Sequence, residues 1–483
     1  MSYKINLENL PNHYVNGEWV SAISNNQFNV QNPATETIIG NIFLGNSKDV
    51  DRAVQAAKDA FSTFSMYSKQ ERLSLLKSLR KVTEKRFDEL AYAMTLEMGA
   101  PITMSKEAQA DAAIGHLDGF INALEKHQEH KKLENGDEIV FEPIGVCGLI
   151  TPWNWPINQI ALKVIPSLAT GCTCILKPSE HTPVSAMIYA EIIHEAGYPK
   201  GVFNLVHGDG PEVGSALSCH QDIQMMSFTG STRAGRDVTC DSAETVKRVT
   251  LELGGKSPNI VFSDCDLLTR VTESVDECMF NTGQSCDAPT RMLVERNCYE
   301  MAVKIAKQAS EKVLVDNPLN EGAHIGPLFD KIQFDRVQKM IEIGINEGAT
   351  LLTGGLGKPD NMNEGWFVKP TVFSDVSNDM QIAQQEIFGP VLVMIPFDSE
   401  EDAIKIANDS PYGLAAYIQT DDEQKSRRVA SRLRAGAVHI NGGAYNYGSP
   451  FGGYKQSGSL SRDQGTEALN SFLQTKTIWI SHN

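Results

Sequence analysis

From Ile144 onward, short apolar runs alternate with helix-length segments, and this alternation restricts the fold more than any other feature. Residues 144–150 read as a strand, 158–169 as a helix, 173–176 as a strand and 183–196 as a helix. Strand-like runs follow at 202–206, 225–228 and 248–253. Strands separated by helices pair in parallel, because each helix returns the chain to the edge where the last strand began. A second alternating series runs from about Asn259 to Asn441. Two such blocks, joined near Gly254-Gly255, imply an α/β fold of two lobes with a cleft between them. Ligands of such sheets are expected beyond the carboxyl ends of the strands.

Ahead of this region, over roughly 49–126, apolar residues recur at helical spacing: Val50, Val54, Ala57 and Phe61, then Leu73, Leu76, Leu79 and Val82. Residues 126–137 are polar and precede Ile139-Val140-Phe141, which suggests a protruding hairpin. A chain of 483 residues, 41% hydrophobic and 21% charged, accommodates two or three domains. The net charge of −17 argues against nucleic acid and anionic membranes as partners, since both attract basic surfaces. Residues 1–8 lack an apolar leader core, so no signal peptide is expected. No uncharged stretch is long enough to span a bilayer. Nine cysteines without a framework spacing suggest reduced thiols and a cytoplasmic location. Cys172 and Cys174 lack a second Cys or His pair nearby, so no metal site is expected.

One of those cysteines has a distinctive setting. Asn281-Thr282-Gly283-Gln284-Ser285-Cys286 puts a lone thiol on a Gly-containing turn. Upstream stands Leu251-Glu252-Leu253-Gly254-Gly255-Lys256, with one carboxylate before a Gly-Gly pair. A thiolate attacks an electrophilic carbon and a carboxylate activates water, so Cys286 and Glu252 are candidates for nucleophile and base. The alternatives are a buried structural thiol and a surface carboxylate.

Three further segments suit a nucleotide. Gly208, Gly210 and Gly214 follow a strand and open a helix, at a spacing one residue longer than the usual dinucleotide fingerprint. An ordinary tight turn also explains them. Phe228-Thr229-Gly230-Ser231 joins a strand to a helix whose free N–H groups suit a phosphate, although a plain N-cap fits too. Lys177-Pro178-Ser179-Glu180 ends a strand with a cation and a carboxylate able to bind ribose hydroxyls, unless both are surface charges. A carboxylate there disfavours a 2′-phosphate, which leans toward NAD over NADP.

Taken together and in order, these segments closely resemble the aldehyde dehydrogenase superfamily, NAD(P)-dependent and of the bacterial, hydrolytic type. The resemblance covers nearly the whole chain. It includes Tyr14-Val15-Asn16-Gly17-Glu18-Trp19, Asn32-Pro33-Ala34-Thr35, Thr151-Pro152-Trp153-Asn154-Trp155-Pro156, Glu386-Ile387-Phe388-Gly389-Pro390 and Pro450-Phe451-Gly452-Gly453-Tyr454-Lys455. It implies a Rossmann-like cofactor domain (1–125 and 143–253), an α/β catalytic domain (254–456) and a small β-flap with tail for oligomerisation (126–142 and 457–483). The implied assembly is a homodimer or homotetramer.

The resemblance also implies roles. Cys286 is the nucleophile, Glu252 the general base, and Asn154 with the Cys286 backbone N–H the oxyanion hole. Lys163 matches a lysine on a proton path from the base. Cofactor contacts fall on Ile150, Thr151, Pro152, Trp153, Lys177, Ser179, Glu180, Gly210, Gly214, Phe228, Gly230, Ser231, Leu253, Gln333, Glu386 and Phe388. Trp155, Tyr445, Tyr447 and Phe451 supply aromatic walls for the substrate. Asp287 faces the substrate tunnel and favours polar or cationic aldehydes, or else points to solvent or pairs with Arg291. No Arg cluster suits a second substrate carboxylate. The implied reaction oxidises an aldehyde to its acid, through a thioester that Glu252-activated water hydrolyses. Esterase side activity and a non-catalytic relative are the competing readings.

Two departures stand out. Gln474 occupies the position read as the family's proton-path glutamate, which implies a different exit for the deacylation proton. Residues 457–463 carry one extra residue, with Ser461 where glycine is usual, and no catalytic residue is expected among them.

Overall fold

The structure is a computed structural model that describes residues 5–481. The first four residues of the leader reading and the last two of the tail lie outside the described residues.

Two seven-stranded sheets dominate the fold. The first runs Arg248–Glu252, Met225–Thr229, Val146–Ile150, Thr173–Lys177, Phe203–Leu205, His13–Val15, Glu18–Val20. Its first five strands are parallel, as the alternation predicts, and the last two add antiparallel. Strand order reverses between Val146–Ile150 and Met225–Thr229, so the loops leaving these two strands diverge and leave a crevice. Those loops carry Thr151 to Asn154 and Gly230-Ser231.

The second sheet runs Thr350–Thr353, Thr371–Ser374, Val391–Phe397, Arg291–Glu295, Pro258–Val261, Ala415–Gln419, Ala437–Ile440, and only Thr350–Thr353 is antiparallel. The short link from Glu252 to Pro258 joins the carboxyl end of a strand in one sheet to the amino end of a strand in the other. Gly254-Gly255, Cys286 and Glu386 therefore all precede strands of the second sheet. The expectation of a site beyond carboxyl ends holds for the first sheet only. In the second the site lies at the amino ends, because the Glu252–Pro258 link leads from the carboxyl end of the first sheet to the amino end of the second.

The helical spacing over 49–126 resolves into helices Ser47–Phe64, Lys69–Lys85, Phe87–Met98 and Asp111–Lys126, with a π-helical stretch Ser105–Ala110. Asn46 and Asp49 form a reciprocal capping box on the first, worth about 1 kcal/mol. Its Val50, Val54 and Ala57 are buried against the first sheet's outer face. The alternation's helix at 158–169 is Pro156–Thr170, buried along nearly its whole length.

A three-stranded sheet joins His130–Lys132, Glu138–Pro143 and Leu473–Ile478. The tail expected as one unit divides here. Helix Gly465–Ser471 packs on helices Asp111–Lys126 and Pro156–Thr170, and Ala468, Leu469 and Phe472 enter the core of the first lobe. Only the last strand joins the hairpin.

Candidate active site

Cys286 sits on a backbone that few sequences tolerate. Asn281, Thr282 and Gly283 are all left-handed, with φ of 52°, 58° and 69°. A Cβ at Gly283 would overlap the Gly389 carbonyl, so glycine is required there. Two non-glycine residues in this region persist only where surroundings hold them. Those surroundings are explicit. Asn281 Nδ2 donates to the carbonyls of Asn154 (3.0 Å) and Gln284 (3.3 Å), and Thr282 Oγ1 to that of Gly326 (3.1 Å). Gln284 Nε2 donates to the Asn281 carbonyl, and its Oε1 accepts from Phe329 N.

The same network fixes Asn154, which follows strand Val146–Ile150 and is buried. Its Nδ2 donates to the Gln284 carbonyl at 2.9 Å, leaving the second amide hydrogen free for an oxyanion. Trp155 Nε1 donates to Ser285 Oγ (2.9 Å), tying the next residue to the nucleophile's neighbour. Burial pushes the Cys286 thiol well above its ordinary pKa, and the charges of Asp287, Glu386 and Glu252 add to the rise.

Glu252 ends strand Arg248–Glu252, 6% exposed, and neither carboxylate oxygen has a hydrogen-bond partner. Burial first, then the charge of Asp463, holds its pKa well above the usual carboxylate range; Lys163 and Arg462 partly offset this. A buried carboxylate without partners is poorly stabilised as an anion, which favours it as a proton acceptor for a reaction. Gly452 makes room for it: a Cβ there would lie 2.6 Å from Glu252 Oε1.

Lys163 is fully buried, donates to Ser227 Oγ (3.2 Å) and pairs with Asp463 Oδ2 at 3.7 Å. Two expectations fail at this point. Gln474 is not beside Lys163; it lies on strand Leu473–Ile478 and donates to the Ile144 carbonyl (3.2 Å). Segment 457–463 does bear on the site. Asp463 is the group facing Lys163 and Glu252, Gly458 bridges Glu252, and the Ser457 carbonyl accepts from Leu253 N.

The cofactor candidates converge on the crevice of the first sheet. Ser231 caps helix Thr232–Ser242 through Ala234 N, and the Phe228 ring closes over Gly230, where a Cβ would meet its Cζ at 2.6 Å. Lys177 Nζ donates to the carbonyls of Pro178 (2.9 Å) and Gly208 (2.7 Å) and reaches Glu180 at 3.4 Å. Burial opposes the Glu180 charge, yet Lys177 holds its pKa below the ordinary value. Ser179 is buried beside them, its Oγ accepting from His181 N. Gly210 and Gly214 frame a π-helical turn capped by Asp209, with open space above Gly210. Gly214 lies against Ile150, and Leu253 against Gly235. Thr151, beside Pro152, and Thr229 each leave a buried hydroxyl without a partner at the crevice's two strand ends.

Across the cleft, Glu386 Oε1 accepts from Gly255 N (3.0 Å), and burial raises its pKa to about 7. A Cβ at Gly254 would overlap this carboxylate, and one at Gly255 the Cys286 carbonyl. Trp153 stacks on Phe329 at 3.6 Å and meets Phe388 edge-on at 5.4 Å. Gln333 is occupied: its Nε2 donates to the carbonyls of Ile387 and Phe388, bracing that loop.

On the other side of Cys286 lies a cavity of about 270 Å³. Trp155, Asp287, Tyr445, Tyr447 and Phe451 all line it. Asp287 does not pair with Arg291, which is fully buried and donates to Asn378 Oδ1 and to the carbonyls of Ile406 and Ala407. The sequence reading missed Glu107, Gln159, Glu277 and Phe280 in this lining. Of the other cysteines, Cys219 and Cys240 are exposed.

A thiol and a carboxylate close enough to influence each other's charge thus lie where the segments leaving two α/β sheets meet, with a cavity of about 270 Å³ beside the thiol. Residues 19–478 match the model of the aldehyde dehydrogenase family. A curated relative, 3-succinoylsemialdehyde-pyridine dehydrogenase of a Pseudomonas species, is 48% identical over 96% of this chain and 97% of its own length. Aldehyde dehydrogenase from Bartonella henselae superposes with a TM-score of 0.95 at 47% identity, over 97% of this chain and 98% of that one. A mutant of aldehyde dehydrogenase C from Pseudomonas syringae, crystallised with NAD+ and octanal, gives 0.97 at 45% identity, over 99% and 98%. The chain belongs to the aldehyde dehydrogenase family.

Proposed function

We propose that this protein oxidises an aldehyde to its carboxylic acid with NAD as the cofactor, NADP being the alternative. The observation that carries this reading is the rigid left-handed elbow that holds Cys286 beside the Asn154 amide, with the unpartnered Glu252 carboxylate in the same cleft. The partnerless hydroxyls of Thr151 and Thr229, the cap turn at Ser231 and the open space at Gly210 fit a dinucleotide. Lys177, Ser179 and Glu180 would hold its adenosine ribose, and Gly230 and Ser231 its pyrophosphate. Ile150, Pro152, Trp153, Phe228 and Leu253 would line its walls, and Glu386 and Phe388 would flank its nicotinamide end. The dinucleotide, when bound, supplies the hydride acceptor.

The Cys286 thiolate adds to the aldehyde carbon. The free Asn154 amide hydrogen and the Cys286 N–H stabilise the oxyanion, each such donor being worth about 10²–10³ in rate. Loss of hydride leaves a thioester on Cys286. Glu252, raised in pKa and free of partners, takes a proton from water that hydrolyses it. Lys163 and Asp463 set the charge around that base. Gln333 keeps its bracing role on the 387–388 loop rather than a ribose contact.

Assembly as a homodimer or homotetramer through the three-stranded sheet is part of the same reading. It is supported by the exposed Ile478, Trp479 and Ile480 at the end of that sheet's last strand. A cytoplasmic location is supported by nine cysteines all free of disulfides; among the described residues no helix is long and apolar enough to cross a membrane. The test is NADH formation from aliphatic, aromatic, amino and carboxy aldehydes, with NAD and NADP, beside Cys286→Ala. Turnover that vanishes in the variant supports the reading. Absence of turnover with every aldehyde overturns it.

A further inference from the structure

The cavity beside Cys286 has an uneven charge. Glu107, Glu277 and Asp287 line it, and no Lys, Arg or His is in its lining. Among the described residues, none of the three carboxylates forms an ion pair. Glu277 and Asp287 also line an adjoining outer cavity of about 570 Å³, together with Asp276 and with Glu273, which is paired to Arg270. Burial raises the pKa of both Glu277 and Asp287, which a cation beside them would reverse, and His439, which lines this outer cavity with Arg270, partly offsets the rise. The acidic lining therefore continues outward from the nucleophile.

Two independent features give this charge a ligand. Gln159 is 7% exposed and lines the cavity with its Oε1 unpartnered. A buried amide oxygen without a donor leaves an acceptor that a ligand N–H satisfies. The remaining walls are aromatic: Trp155, Phe280, Tyr445 and Tyr447. Aromatic faces attract cations, by more where water is excluded. An anionic chain would meet repulsion from three carboxylates, and a neutral apolar chain would leave them and Gln159 unsatisfied.

We propose that the aldehyde oxidised at Cys286 carries a protonated primary or secondary amine on its chain; this rests on the aldehyde-oxidising reading above. The ammonium lies among Asp287, Glu277 and the aromatic walls and donates to Gln159 Oε1. It is unchanged by the reaction. The aldehyde C–H bond breaks, its hydride passes to NAD+, and water supplies the second oxygen of the carboxylate. One aldehyde, one NAD+ and one water give one carboxylate, one NADH and two protons.

The experiment compares kcat/KM for 3-aminopropanal, for butanal (the same chain with methyl in place of ammonium) and for the anionic 4-oxobutanoate. The expected order is aminopropanal above butanal by about tenfold or more, a factor equivalent to 1.4 kcal/mol, with 4-oxobutanoate lowest. Asp287→Asn should reduce the aminopropanal-to-butanal ratio by about fivefold or more. In the unmodified enzyme, propylammonium should inhibit competitively against aldehyde at lower concentration than 1-propanol. This second measurement stands if the variant does not fold. Butanal matching or exceeding aminopropanal, or equal inhibition by the amine and the alcohol, overturns the proposed substrate class while leaving aldehyde oxidation intact. Failure of all three aldehydes overturns the underlying reading instead.

Discussion

Replacing Gly452 with alanine should slow hydrolysis of the acyl-enzyme. The new Cβ would stand 2.6 Å from Glu252 Oε1, 3.0 Å from Arg462 Cδ and 3.1 Å from the Ser461 carbonyl. Ordinary contact begins near 3.4 Å, so the carboxylate must move by roughly 0.8 Å, the difference of the two distances. It can move readily, because it ends a flexible side chain and forms no hydrogen bond that resists displacement. Gly452 also has a φ of 157°, a conformation alanine adopts only under strain, so stability falls as well and the functional loss is read in the fraction that folds. A displacement of about 1 Å at a reacting group lowers rates by up to about 10², so a loss of between about tenfold and 10² is expected. The assay is single-turnover decay of the thioester, followed by intact mass, with the NADH burst recorded in parallel. Thioester decay at the unmodified rate in a folded variant, or loss of the burst with decay unaltered, would refute the reasoning.

Other expectations follow from the same contacts. Burial and then the Asp463 charge raise the Glu252 pKa, so Asp463→Asn lowers it; the pH at which deacylation accelerates should fall, read from the pH profile of thioester decay. Gln474→Glu should leave that profile where it is, since Gln474 contacts the Ile144 carbonyl instead. Activity of the unmodified enzyme should rise as pH increases through and above neutrality. Cys286 and Glu252 are both held protonated by burial and neighbouring charge, and the deprotonated forms react. Arg291→Leu should destabilise the fold by about 1–3 kcal/mol, because it strands the buried carbonyl of Ala407; denaturant midpoints measure this.

Much of this architecture is legible in the chain because burial on both faces makes parallel strands read as unbroken apolar runs. Residues 173–176 and 225–228 each fall short of the observed strand by one residue. Strands His13–Val15 and Glu18–Val20 escape that reading, since three residues carry no periodicity. Cys286 and Glu252 stand out through local motifs. Asp463 does not, because its meaning comes from Lys163, 300 residues away in sequence and 3.7 Å away in space. Gln474 misleads for the converse reason: a motif position suggests a role that its contacts do not support. Gln159 is hidden in a helix so thoroughly buried that nothing local marks one side chain as facing a cavity. The amino-end position of the second sheet's half of the site is likewise a property of how two lobes meet.

The central claim is that Cys286 carries the acyl group and Glu252 releases it. The most direct test is Glu252→Gln mixed with excess aldehyde and NAD, with NADH followed from the first milliseconds and Cys286 examined by intact mass. The account predicts one equivalent of NADH per active site, then turnover slowed by about 10²–10⁴, with the acyl group on Cys286. Steady turnover at the unmodified rate, or a burst with no mass added at Cys286, would contradict it.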